Sequence, residues 1–195
     1  MSTNQLPDDV RKGRAKDLLA EGRLDEAREL LHELCQGDQP DVEIWFIYSA
    51  ANAHLGRFED VIRACRRALD IQPDHLPALN NLASALATLG RHDEAAVEFA
   101  NLVRLAPDNP AVLNNYGHAL ALLGREEEAR TALESAVRIQ PFYAEAHYNL
   151  ALLLEQTDHP DEALSEYEKA ANLKPGLPDI HNRIGQVRKI IQSKA

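Results

Sequence analysis

The sequence predicts an all-α solenoid of helix pairs, and three observations carry that reading. The grammar of Leu76 to Asn109 recurs every 34 residues: Gly90 is matched by Gly22, Gly56 and Gly124, Ala95 by Ala27, Val61, Ala129 and Ala163, and Pro107 by Pro73, Pro141 and Pro175. A fixed period of this length marks stacked supersecondary units, each too small to bury a core alone. Ala and Leu, both strong helix formers, dominate a chain that is only 5% aromatic. No stretch alternates β-branched and polar residues as a half-buried strand would.

Taken in order, residues 1–7 form a frayed leader, followed by units 8–41, 42–75, 76–109, 110–143 and 144–177, and by a capping helix and tail at 178–195, all in one continuous domain. The first unit is degenerate: Arg11 and Arg14 stand where Trp45 and Tyr48 stand one period later, and Gln39 stands in a proline slot. Polar substitution suits a terminal repeat with one side in water. Asp41 and Asn109 are placed as N-caps. Pro77, Pro110, Pro160 and Pro178 are expected in first helical turns, where a missing N–H costs little. In the fifth unit Asp158 replaces the turn glycine and must tolerate positive φ. The last helix lacks a partner and carries Arg183, Arg188, Lys189 and Lys194, expected toward solvent.

Within the central unit Leu79, Leu82, Leu86 and Leu89 share one predicted apolar stripe. Ala83, matched by Ser49, Gly117, Ala151 and Gly185, is a small slot that lets helices approach closely. Ala95 plays that part on the second helix, beside Phe99, Leu102 and Leu105. The slots of Trp45, Tyr48, Ser49, Gly56, Val61, Cys65, Ala68 and Pro73, and of Leu79, Leu82, Ala83, Gly90, Ala95, Phe99, Leu102 and Pro107, resemble the W–L–G–G/Y–A–F–A–P pattern of the tetratricopeptide repeat family. The resemblance covers residues 8–192. It implies antiparallel helix pairs in a right-handed superhelix, whose concave face is lined by each pair's first helix and binds peptides or protein segments.

Charge narrows the partners. A formal net charge of −10 argues against nucleic acid or an anionic membrane and favours neutral or basic protein segments. The N-terminus has no apolar signal region, and no run approaches the ~20 apolar residues of a membrane span. Cys35 and Cys65 occupy apolar helix slots and read as reduced core residues, so a cytoplasmic protein is expected. The oligomeric state stays open, with a monomer favoured and self-association through a poorly capped end as the alternative.

Nothing in the sequence is organised for catalysis. The second helices open with acidic pairs (Asp25 and Glu26, Glu59 and Asp60, Asp93 and Glu94, Glu126 to Glu128, Asp161 and Glu162), and recurrence in every unit assigns them to the helix dipole rather than to acid–base work. The eight histidines are scattered without ligand spacing, and His147 and His181 share a slot that holds Trp45 and Leu79 elsewhere. GxSxG, GxGxxG and phosphate-cradling glycine loops are missing. The chain is therefore expected to be no enzyme and to need no metal or cofactor.

One pattern does ask for a ligand. Asn81, Asn115 and Asn149 fill the same slot of three successive first helices, with Asn80 and Asn114 beside two of them. Asparagine is a mediocre residue inside a helix, so three in register require a cause. Either the amides face a groove and bond an extended peptide's backbone, or they bond the neighbouring helix and set the stacking. The first alternative resembles the asparagine-lined groove in the tetratricopeptide part of O-GlcNAc transferase. The expected peptide-binding set is Asn80, Asn81, Ser84, Asn114, Asn115, His118, Tyr148 and Asn149, with Lys12, Phe46 and Gln186 sharing or bordering the groove. The basic residues of carboxylate-clamp repeats are not reproduced, since Lys12 and Lys16 are confined to the first unit. The expected function is a non-catalytic scaffold that captures an extended protein segment. The alternative is the substrate-recognition arm of a larger bacterial sulfotransferase or glycosyltransferase, against which the polar C-terminal cap weighs.

Overall fold

A computed structural model describes residues 6–37 and 40–194, which form eleven helices and no strand. Most of the leader, and Gln39, lie outside the described residues. The chain divides by compactness into two units, Met1–Glu98 and Phe99–Ala195. In the first, α1 (Asp8–Ala20) packs on α2 (Leu24–Cys35), α2 on α3 (Val42–His54), α3 on α4 (Phe58–Ile71), and α4 on α5 (Leu76–Thr88), while first helices also meet as α1 with α3 and α3 with α5. The division falls inside α6 (His92–Leu105). In the second, α7 (Pro110–Leu122), α8 (Glu126–Ile139), α9 (Ala144–Gln156), α10 (Pro160–Leu173) and α11 (Ile180–Lys194) pack in succession, and α7 also meets α9.

The turn inside each pair follows from one residue. Gly22, Gly56, Gly90 and Gly124 have φ of 75, 69, 74 and 70°, and Asp158 takes the same role at 61°. At Gly56, its N–H bonds the Ala53 carbonyl at 3.0 Å and the Arg57 N–H bonds the Asn52 carbonyl at 2.9 Å, which closes a Schellman motif. The same backward bonds close the other turns, including His159 to Leu154 at 2.9 Å. A Cβ at positive φ costs about 1–2 kcal/mol, so four of the five positions are glycine.

Helix starts divide into two chemistries. Three first helices use side-chain caps, and α1 and α9 start without one: Asp41 accepts from the Ile44 N–H at 2.8 Å, His75 from Ala78 at 3.2 Å, and Asn109 from Ala111 and Val112 at 3.0 and 3.3 Å. Second helices start at Arg23, Arg57 or Arg125 without a side-chain cap. Instead Arg23, Arg91 and Arg125 each fork onto the glutamate three residues on, Glu26, Glu94 and Glu128, at 2.6–2.8 Å. The arginine hydrogen bonds hold all three carboxyls below their ordinary range. The acids of the first turn are thus part of helix-start structure.

Packing confirms the small slot and shows where it is relaxed. Ser49, Ala83 and Ala151 are fully buried. A Cβ on Gly117 would meet Leu133 Cγ at 2.6 Å and the Ala129 carbonyl oxygen at 3.1 Å, whereas one on Gly185 would meet nothing within 4 Å. Among the described residues no helix follows α11, so its small slot faces open space.

Three sequence expectations are corrected. Leu79, Leu82 and Leu86 are buried, but Leu89 lies beyond the last helical residue, where the chain turns into Gly90, and is 40% exposed. Pro178 lies in the turn before α11 rather than in its first helical turn, because Asp179 takes φ of 60° and the helix begins at Ile180. Arg183 is only partly turned to solvent: its Nη1 lies 3.3 Å from Glu155 Oε2 and its Nε 3.4 Å from Asp179. Glu155 also accepts from the buried Tyr167 hydroxyl at 2.7 Å, so one carboxylate ties α11 to α9 and α10.

Candidate functional site

The asparagines lie on first helices, and Asn81 and Asn149 are each linked to the first helix before their own. In the first unit Asn81, on α5, donates from Nδ2 to Ser49 Oγ on α3 at 3.3 Å, and Ser49 in turn donates to the Phe46 carbonyl at 2.6 Å. In the second unit Asn149, on α9, donates to Asn114 Oδ1 on α7 at 2.9 Å, and Asn114 donates to Asn115 Oδ1 at 3.2 Å. Asn114 is buried, while Asn80, Asn81, Asn115 and Asn149 are half-buried. The bonds between helices run in one direction, from a later first helix to an earlier one. An amide offers two donor hydrogens and two acceptor lone pairs, so a bond of this kind orients the group without exhausting it.

Around these amides Ser84 is half-buried on α5 and His118 is exposed on α7. Tyr148 is half-buried on α9, its ring edge-on to Tyr167 at 5.7 Å. Phe46 sits edge-on to the capping His75 at 5.3 Å. Gln186 is exposed on α11. Lys12 is engaged by Asp41 at 3.0 Å and Glu43 at 2.9 Å, and Lys16 by Glu43 at 2.5 Å. Both lysines are therefore committed to fastening α1 to the start of α3. Their hydrogen bonds, that of Lys16 first, lower the Glu43 carboxyl to about 2.

Other titratable groups are occupied structurally. His147 is buried, with Nδ1 2.5 Å from Glu166 Oε2 and Nε2 3.0 Å from the Pro141 carbonyl oxygen. Both ring nitrogens are engaged. His181, in the same slot, is exposed because no later second helix among the described residues covers α11. Burial raises the thiols of Cys35 and Cys65 to about 12 and about 11, which makes them poor nucleophiles. Among the described residues no group of three or more His, Cys, Asp or Glu could hold a metal ion, and no helix is long and apolar enough to cross a membrane.

Sequence reasoning missed Asn52, a fully buried asparagine in the slot of Leu86, Leu120 and Leu154. Its Nδ2 donates to the Tyr48 carbonyl at 2.8 Å, and its Oδ1 is buried without a hydrogen-bond partner. A polar residue in an otherwise leucine slot was the available signal.

Comparison with known proteins agrees with this geometry. The tetratricopeptide repeat profile matches residues 12–76, 72–110, 80–144 and 123–178. The chain belongs to the tetratricopeptide repeat family. Proteins of that family act as protein-interaction scaffolds, and the eleven helices with their glycine turns are its repeat architecture. No curated protein matches the sequence. Among solved structures, MamA (residue 41 to the end) from Desulfovibrio magneticus RS-1 aligns at TM-score 0.81 and 20% identity, covering 87% of this chain and 96% of that one. MamA of MSR-1 aligns at 0.73 and 26%, covering 86% and 94%. A thermophilic tetratricopeptide protein of Thermus thermophilus aligns at 0.67 and 22%, covering 93% and 98%.

Proposed function

We propose that this tetratricopeptide repeat protein is a non-catalytic scaffold that captures an extended protein segment on its first-helix faces, the concave side in the resemblance to other repeats. The carrying observation is the row of half-buried amides at Asn81, Asn115 and Asn149, which are bonded to Ser49 or Asn114 and keep donor and acceptor capacity for a ligand. Each bond holds an amide in place before a ligand arrives, so less ordering is lost when a peptide backbone is bound. Backbone recognition by amides depends little on the ligand's side chains. With a net charge of −10, the segment favoured at these faces is neutral or basic.

The test is selection from a displayed library of random peptides, followed by affinity measurement on the selected sequences. Asn81→Ala, Asn115→Ala and Asn149→Ala combined should weaken binding by about tenfold or more while leaving helix content intact. Unchanged affinity in a folded triple variant would assign the amides to stacking alone.

A further inference from the structure

The repeat does not account for one row of α4. Arg63, Arg66 and Arg67 stand where the next unit has Val97, Ala100 and Asn101, and the one after has Thr131, Glu134 and Ser135. Three guanidinium groups are concentrated at one joint of a chain whose net charge is −10. The floor beside them departs from the repeat as well. Trp45 is the chain's single tryptophan, in a slot that later holds Leu79, Leu113, His147 and His181.

Helices α2 and α4 both pack on α3, and together they border a cleft of ≈ 480 Å³. Trp45 and Tyr48, edge to face at 6.4 Å, lie at its base, and the three arginines line it. The Tyr48 hydroxyl is 3.3 Å from His32 Nδ1, which steadies that base. A second hollow of ≈ 370 Å³ shares Cys35, Trp45 and Arg67 and runs on to Pro40 and Ile71, whose side chain is half exposed. The result is a space lined by two aromatic rings and by a wall on which three arginines outnumber the carboxylates of Asp60 and Asp70.

The arginines are lightly held. Arg66 meets Glu94 at 3.2 Å, Arg67 meets Asp70 at 3.9 Å, and Arg63 meets Asp60, with all three arginine side chains more than half exposed. Exposed pairs of this kind contribute little, so the guanidinium groups can turn to another carboxylate at small cost. Arginine suits that exchange because its planar fork binds carboxylates bidentately and stacks on aromatic faces. Screening confines the repulsion from the overall negative charge to within a Debye length of about 10 Å at 0.1 M salt, so distant acids weigh little against arginines in direct contact with a ligand.

We propose that the cleft between α2 and α4 is a second docking site, taking an acidic peptide segment that seats an aromatic side chain on Trp45 and pairs its carboxylates with Arg63, Arg66 and Arg67. The site lies apart from the asparagines and is independent of the function proposed for them.

The probe is a fluorescein-labelled peptide, Glu-Asp-Phe-Asp-Glu, followed by anisotropy on the full chain, with Lys-Lys-Phe-Lys-Lys as control. The acidic peptide should bind saturably. Affinity should fall about tenfold or more in the Arg63→Glu, Arg67→Glu pair and in Trp45→Leu, which takes the residue found one period later. It should be unchanged in the triple asparagine variant. If charge reversal lowers helix content, the milder Arg63→Gln, Arg67→Gln pair should show the same loss. No saturation up to about 1 mM peptide, equal binding of the lysine peptide, or full affinity in the folded arginine variants would overturn the site. So would light scattering that shows a dimer dissolved by the arginine substitutions, since the occupant would then be a second copy.

Discussion

Single residues divide into those the repeat demands and those that break it. Gly117 belongs to the first kind: a methyl group there would press on Leu133 Cγ at 2.6 Å. Gly117→Ala should destabilise by about 1–2 kcal/mol, the cost of overpacking outweighing the better helix propensity of alanine. Gly185→Ala, in the same slot but facing open space, should stabilise by about 0.5–1 kcal/mol. Thermal unfolding of the two variants checks the pair, and shifts of equal sign would contradict the packing account. Asn52 breaks the repeat. Its Oδ1 is buried without a partner, and leucine fills the slot in three later units. Asn52→Leu should raise stability by about 1 kcal/mol or more, because an unsatisfied buried acceptor is removed. A lower melting temperature would show that the amide is needed. The sequence made the glycines legible through their spacing. It did not reveal Asn52's burial, because one polar residue in one copy looks like tolerated variation until its surroundings are known.

Among the helices, the ends show how much of an element depends on its neighbours. His147 and His181 share a slot one period apart, yet one is buried against Glu166 and Pro141 and the other is exposed. Sequence position assigned the slot, and the neighbouring second helix, present for one and not for the other among the described residues, decided burial. The fork of Arg23 onto Glu26, repeated at Arg91 and Arg125, was equally hidden, because the dipole explains the acids without their arginines.

Helix α1 is fastened by Lys12 and Lys16 to Asp41 and Glu43 at the start of α3. The Glu43 carboxyl is lowered from 4.5 to about 2, so its contribution to stability is complete above the ordinary value and is lost as pH falls through the lowered one. Side-chain NMR titration should place its midpoint near 2, and Lys16→Met should move it upward. A midpoint near 4.5 in the wild-type chain would show that the clasp is not formed. High salt should weaken the same contact, since the pair is exposed.

For the molecule as a whole, the period of 34 residues made the fold class legible before any coordinate, because stacking forces every unit to reuse the same slots. The working face was legible only in part. Register identified Asn81, Asn115 and Asn149, but hydrogen-bond direction, and the use of Ser49 and Asn114 as acceptors, depend on how far neighbouring first helices are apart. The arginines of α4 carry no motif, and their placement beside Trp45 comes from packing around α3. The central claim is that the first-helix amides bind peptide backbone. Its most direct measurement is the 1H–15N spectrum of the asparagine side-chain amides during titration with a library-selected peptide. The side-chain signals of Asn81, Asn115 and Asn149 should shift together and saturate with the bound fraction. Saturable binding that leaves those three signals unmoved would contradict the claim.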